Sequence, residues 1–233
     1  MGYADLHSHV LPALDDGAPD DATGLLMIRL LASAGYDLIF ATPHQKAAQF
    51  LPAWDDVTKT HSRIAAASEV ELRLGAENFW DDVFYERWRS GTVPRYTQSR
   101  AFLFEIPVAD VPARFEDTLF QIGIQGLLPV MAHPERYLLT PERLDAIGRS
   151  VPLVVDLGAI AGYHGQRPGR LAQKLLADGI AHAAASDVHT PADVRAAMEG
   201  IAWIKKRLGA PAVARLCADN PRAILAGEVP DRS

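Results

Sequence analysis

Two rhythms of apolar and polar positions alternate along this chain. Short apolar runs of three to six residues are separated by longer stretches in which apolar positions return every three or four residues. The first rhythm suits buried strands, and the second suits helices with one face packed on them. Strands are expected at residues 3–6, 38–41, 70–74, 101–104, 127–131, 153–155 and 180–185. Helices are expected at 21–34, 54–68, 81–89, 112–122 and 167–177, with Gly35 and Gly123 as stops. Thr140-Pro141 and Thr190-Pro191 each place an N-cap residue before a proline at the first helical position, so two more helices start there. The second of these runs to about Leu208, and two short segments at 211–217 and 221–225 close the chain.

Seven strands alternating with helices imply parallel pairing with the helices packed outside. The placement of histidines and carboxylates then decides between an open sheet and a closed one. His7 and His9 follow the first strand, Asp15-Asp16-Gly17 the next turn, and His44 the second strand. Glu77, Glu105 and His133 follow the third, fourth and fifth strands, and Asp187 and His189 the seventh. In extended chain, positions i and i+2 point the same way, so His7 and His9 can meet one ion. Ends of seven strands in an open sheet lie too far apart to cooperate, whereas a barrel brings its C-terminal strand ends to one face. The expected fold is therefore an α/β barrel of seven strands.

Taken singly, these residues say little, because His-x-His pairs are common and Asp16 is a fair helix cap. Taken jointly, five of the eight histidines at strand ends form a pattern that chance does not readily give. His7, His9, Asp16, His44, Glu77, Glu105, His133, Asp187 and His189 offer nine donors, more than one tetrahedral zinc requires. They suit two or three divalent ions, with a carboxylate such as Glu77 bridging, and the mixed nitrogen and oxygen set admits Mn, Fe or Zn. His61 and His182 are read as surface or core residues without a role in the site, and His164, in the loop GYHGQRPG, as a surface residue with substrate contact as the alternative.

The chain has 233 residues and a formal net charge of −6, enough length for one domain with a substantial core. We take residues 1–228 as that domain and 229–233 as a frayed tail. No basic run suggests a nucleic-acid partner; the Lys205-Lys206-Arg207 cluster reads as a solvated helix face. An acidic protein that handles phosphate needs local positive charge, which bound cations supply. With one cysteine, no secretory leader and no apolar run long enough for a bilayer, a cytoplasmic protein without membrane insertion is expected. Cys217 lies five positions before Arg222, not the six of a Cys-x5-Arg loop, so thiolate phosphatase chemistry is excluded and Cys217 is read as core.

The run DLHSHVLPALDDGAPD, followed by ATPH, GAE, FEIP, AHPERY, ASDVH and DNPRAI, resembles the PHP (polymerase and histidinol phosphatase) superfamily. Within it, the run is most similar to the bacterial PHP-type protein tyrosine phosphatases of capsule and exopolysaccharide operons, over residues 4–226. The resemblance implies a distorted (β/α)7 barrel and a trinuclear centre, often of manganese. By position, His7, His9, Glu77 and Asp187 would hold one ion. Glu77, Glu105 and His133 would hold a second, and Asp16, His44 and His189 a third. Arg136 matches a phosphate-binding arginine, while Arg195 stands one residue out of register with another. Arg222 is read as structural.

The implied substrate is a phosphotyrosine protein, such as a bacterial tyrosine kinase of polysaccharide synthesis, and a homo-oligomer is compatible with the sequence. If an acid assists the leaving group, Asp187 or His189 is nearest. A phenolate of pKa about 10 needs little such help. Other readings are a small-molecule phosphoesterase such as histidinol phosphatase, an amidohydrolase, and a non-catalytic phosphotyrosine-binding regulator. Phe50, Trp54 and Tyr163 are candidates to wall the pocket.

Overall fold

The computed structural model describes residues 1–232. Its strands are β1 (Tyr3–Asp5), β2 (Tyr36–Ala41), β3 (His44–Gln45), β4 (Glu71–Leu74), β5 (Glu77–Phe79), β6 (Ala101–Glu105), β7 (Leu128–Ala132), β8 (Leu153–Asp156) and β9 (Ala183–Ala185). The helices are α1 (Asp21–Ser33), α2 (Trp54–Ala65), α3 (Asp82–Ser90), α4 (Phe115–Ile124), α5 (Pro141–Gly148), α6 (Leu157–Ile160), α7 (Gln166–Ala177), α8 (Pro191–Leu208), α9 (Ala210–Ala214) and α10 (Asn220–Leu225).

Every strand pairing is parallel. β1-β2-β4 form one sheet and β3-β5-β6-β7-β8-β9 the other. β3 resumes the path of β2 after Thr42-Pro43, where proline cannot donate to a ladder, and β5 resumes β4 after Gly75-Ala76. The nine stretches therefore trace seven paths around a distorted barrel, as the sequence pattern predicts. The ring closes between its first and last paths, where Asp187 N–H donates to His7 O and His9 N–H to Val188 O, both at 2.9 Å. Below this seam the Asp5 carboxylate accepts from Ser186 N–H at 2.9 Å and Ser186 Oγ–H at 2.5 Å.

Alternate strand residues face two separate cores. Ala4, Leu38, Phe40, Leu103, Val130 and Val154 fill the barrel, while Ile39, Leu72, Phe102, Phe104 and Met131 pack beneath the helices. Each large side chain so buried contributes about 1.5–3 kcal/mol. The distortion has a local cause. The outer edge of β4 pairs with no strand; Thr97 N–H bonds Leu74 O there at 2.8 Å, and Tyr96 from the same segment fills the barrel, its hydroxyl on Leu6 O at 2.9 Å. Gly75 permits this, since a Cβ there would lie 2.9 Å from the Tyr96 ring.

Two expectations are corrected. The helix expected at 112–122 starts at Phe115 and runs through Gly123, whose missing side chain would meet nothing within 4 Å. Its stop comes at Gly126, in the left-handed region at φ 82°. The two closing segments are joined by a π-helical stretch at Arg215–Asp219 that buries Cys217. Asp16 caps no helix; Asp20 caps α1, accepting from Thr23 N–H at 2.8 Å. In the expected tail, Arg232 donates to Asp145 at 2.8 Å, and Ser233 lies outside the described residues.

Candidate metal centre

All nine candidate donors reach the C-terminal rim, from six of the seven strand paths. His7, His9 and Ser8 continue β1 past its last paired residue. His44 and Glu77, expected just beyond strands, instead open β3 and β5 and stand opposite one another in register. Glu105 is the last residue of β6, and His133 follows β7 directly. Asp187 and His189 follow β9, where Asp193 fixes their turn by accepting from His189 N–H at 3.1 Å and Thr190 N–H at 2.7 Å. His133 and Asp187 hold φ of 31° and 48°, a region non-glycine residues seldom enter and which costs of order 1–3 kcal/mol. That strain turns both side chains off their strands toward the common centre.

Glu77 lies at the hub. Its Oε1 is 2.8 Å from His133 Nε2, and its Oε2 is 2.9 Å from His44 Nδ1, 3.2 Å from His7 Nε2 and 3.4 Å from His9 Nε2. Asp187 Oδ1 approaches His7 Nε2 at 3.3 Å and His9 Nε2 at 3.6 Å. Asp16 Oδ1 stands 3.4 Å from His44 Nε2 and 3.5 Å from His189 Nε2, and Glu105 Oε1 is 3.3 Å from His44 Nδ1. Four overlapping groups have donor atoms close enough to share an ion: His7-Glu77-His133, His7-His9-Asp187, His44-Glu77-Glu105 and His9-Asp16-His44-His189. His133 thus meets His7 and Glu77, whereas the partition implied by resemblance groups it with Glu105.

The donor set fits cations on its own terms. His44 Nδ1, Glu77 Oε2 and Glu105 Oε1 are buried without a hydrogen-bond partner, yet face one another at 2.9–3.3 Å. A buried polar atom left without a hydrogen bond is costly. Three such atoms converging on one point is the arrangement a divalent ion satisfies. The charges agree. Burial pushes the Glu77 carboxyl up, but the His7 and His44 imidazoles outweigh it and hold the group well below the usual range. Burial pushes His9 down, but Asp15 and Glu77 raise it to about 10; Glu77 and Glu105 likewise lift His44 to about 11. Without a metal the site is thus a buried mass of opposed charges.

Three supporting residues escaped the sequence reading. Asp15, beside Asp16, reaches the cluster: its carboxylate is 2.8 Å from His9 Nδ1 and accepts from His44 N–H and Gly17 N–H, each at 3.0 Å. Tyr137 places its hydroxyl 3.2 Å from His133 Nδ1. Such outer contacts fix ring orientation and tautomer in metal sites. Asp156 Oδ2 takes Arg136 at 2.8 Å and His164 Nε2 at 2.8 Å, while Oδ1 caps α6. His164, read first as a surface residue, therefore belongs to the rim.

Arg136 also donates to Asp187, so its guanidinium spans the centre and Asp156. Arg195 pairs with Tyr163 Oη at 3.0 Å and Glu199 at 3.4 Å rather than with any member of the cluster. Arg222 is structural, binding Gly2 O and Asp37. Cys217 is buried, and burial together with Asp5 pushes its thiol up to about 12. Of the three aromatics, Phe50 stacks on His44 at 5.6 Å, Tyr163 holds Arg195, and Trp54 lines a different groove.

Comparisons with known proteins bear on this geometry. Residues 3–226 match the family described as capsular polysaccharide synthesis, CpsB/CapC. Tyrosine-protein phosphatase YwqE of Bacillus subtilis is 28% identical over 200 residues, covering 79% of this chain and 76% of the relative. Tyrosine-protein phosphatase CpsB of Streptococcus pneumoniae is 25% identical over 243 residues, covering 95% and 97%. A crystal structure from work on those two proteins, described as metal-dependent tyrosine phosphatases, superposes with a TM-score of 0.86 at 23% identity, covering 97% of this chain and 95% of that one. The barrel is therefore shared with them.

Proposed function

Because this chain belongs to the CpsB/CapC family of capsular polysaccharide synthesis proteins, we propose that it is a metal-dependent phosphatase hydrolysing phosphotyrosine on a protein. The observation that carries this reading is the convergence of His44 Nδ1, Glu77 Oε2 and Glu105 Oε1, buried and without a hydrogen bond, on one point. The nine donors would hold two or three divalent ions, manganese foremost, with Glu77 shared among them. Bound ions of this kind activate water for in-line attack and neutralise phosphoryl oxygens.

The chain's own residues do the rest. Arg136 would bind the phosphate, since a planar fork of donors matches phosphoryl oxygens. Asp156 and Asp187 both accept from that guanidinium and hold it in place. Asp15 and Tyr137 fix the His9 and His133 rings. Phe50, stacked on His44, supplies an apolar wall beside which a phenyl ring could lie. The substrate we infer is a tyrosine kinase of polysaccharide synthesis. Among the described residues no helix is long and apolar enough to cross a membrane.

The test is hydrolysis of p-nitrophenyl phosphate and of a phosphotyrosine peptide, with manganese added or chelated, for wild type and His133→Ala. Turnover of both substrates should require metal and fall roughly 100-fold or more in the variant. Absence of turnover with manganese, iron and zinc alike would end this reading.

A further inference from the structure

A groove of about 840 Å³ runs along the split in the barrel, apart from the nine donors. It is lined by Trp54 at the start of α2, Arg87 on α3, and residues 91–100. Its charged lining is Arg87, Arg95 and Arg100, with no acidic residue among them. None of these three forms an ion pair with a carboxylate among the described residues, so the groove carries positive charge on a protein of net charge −6. Arg87 donates to the neutral Gln45 Oε1 at 2.8 Å, and Arg100 donates to Gly126 O and Gly227 O. Asp81, whose charge reaches Arg87, is committed to Phe84 N–H and Ala47 N–H. Arg95 is exposed and forms no ion pair among the described residues.

The groove is preformed and connected to the centre. Its floor is pinned by Thr97 N–H on Leu74 O, Tyr96 N–H on Ala101 O, and the buried Tyr96 ring. Arg87 holds Gln45, whose amide in turn donates to His44 O at 2.9 Å, so two hydrogen bonds link the groove to a candidate donor. Guanidinium forks bind carboxylate and phosphate strongly, and the Ser99 hydroxyl, which accepts from Ala101 N–H, keeps its own proton to donate.

We propose that this groove binds a second anionic side chain, phosphorylated or acidic, of the same peptide whose phosphotyrosine enters the metal centre. The inference rests on the phosphatase reading and deepens it: the substrate class becomes tyrosine phosphopeptides with anionic residues a few positions away. Arg95 is a specificity residue in this scheme, not a catalytic one.

The test separates the groove from the chemistry. Fluorescence anisotropy is measured with two peptides carrying a non-hydrolysable phosphotyrosine mimic, one with glutamates or phosphoserine in the flank and one with neutral residues there. Wild type should bind the anionic peptide about tenfold more tightly, the equivalent of about 1.4 kcal/mol, and the gain should shrink as salt rises. Arg95→Glu should abolish the gain while leaving p-nitrophenyl phosphate hydrolysis and melting temperature unchanged. Arg95→Gln, a milder change, should reduce it. Equal binding of the two peptides, binding of neither, or a gain that survives Arg95→Glu overturns the proposal. If p-nitrophenyl phosphate is not hydrolysed but the gain is present and lost in Arg95→Glu, the catalytic reading fails and the groove stands.

Discussion

Away from the rim, most buried polar groups are matched one to one. Tyr96 donates to Leu6 O in the barrel interior, and at the foot Asn220 donates to His182 O while His182 Nδ1 accepts from Leu153 N–H. At the rim, five imidazoles and four carboxylates are massed, and His44 Nδ1, Glu77 Oε2 and Glu105 Oε1 face one another without a hydrogen bond. Buried atoms without partners occur elsewhere too, on Tyr36, Glu135, His182 and Arg215, but only those of His44, Glu77 and Glu105 face one another. The contrast separates two uses of buried polarity. A matched pair fixes structure; a cluster of unmatched polar atoms is destabilising until a cation joins it, and so marks where function overrides stability.

Three experiments probe the contrast, in falling order of effect. Glu77→Gln removes the hub carboxylate and should lower kcat/KM for p-nitrophenyl phosphate by roughly 1,000-fold, about 4 kcal/mol, with metal content falling in parallel. A loss under tenfold would show that Glu77 is not shared between ions. His182→Asn probes the foot. Burial, aided by the Arg232 charge, pushes His182 down to about 4 from 6.5. Folding therefore favours the neutral ring. Its contribution is complete above about pH 6.5 and is lost as pH falls toward 4, where the unfolded chain binds a proton that the folded one refuses. The loss amounts to roughly 3 kcal/mol. Melting temperature followed from pH 7 to pH 4 should fall less steeply in the variant, which keeps an acceptor for Leu153 N–H; parallel curves would remove the assignment. Smallest is Asp15→Asn, expected to weaken metal affinity or activity by about 10–100-fold. A change under threefold would mean that packing alone orients His9.

Much of the barrel was legible because each long element carries its own signal. Thr140 and Thr190 open helices as their Thr-Pro pairs predict, and the seven apolar runs became the seven strand paths. β3 and β5 were not legible, since strands of two and three residues carry no alternation to detect; their existence depends on partners far away in sequence. Gly123 misled because a helix tolerates a glycine whose side-chain space is open solvent, at a cost of about 1 kcal/mol. The donors themselves could be found by type and position. Their supports could not. Asp15 and Asp16 are adjacent and chemically identical, and what separates them is the loop's return, in which Gly17 packs so tightly that a Cβ would sit 2.2 Å from His9 O. That return buries Asp15 beneath His9 and leaves the Asp16 side chain half exposed. Asp156 and His164 meet only because α6 turns the chain back over the rim, a contact no local pattern announces.

The seam between the first and last strand paths also makes the centre depend on contacts made at long range. Asp187 faces His7 and His9, and Ser186 meets Asp5 across 181 positions of the chain. Local helices can therefore form before these groups come together, because the entropy of closing so long a loop precedes the contacts that offset it. Folding of the ring and assembly of the centre are in this sense one event, at the slow end of the barrel's formation.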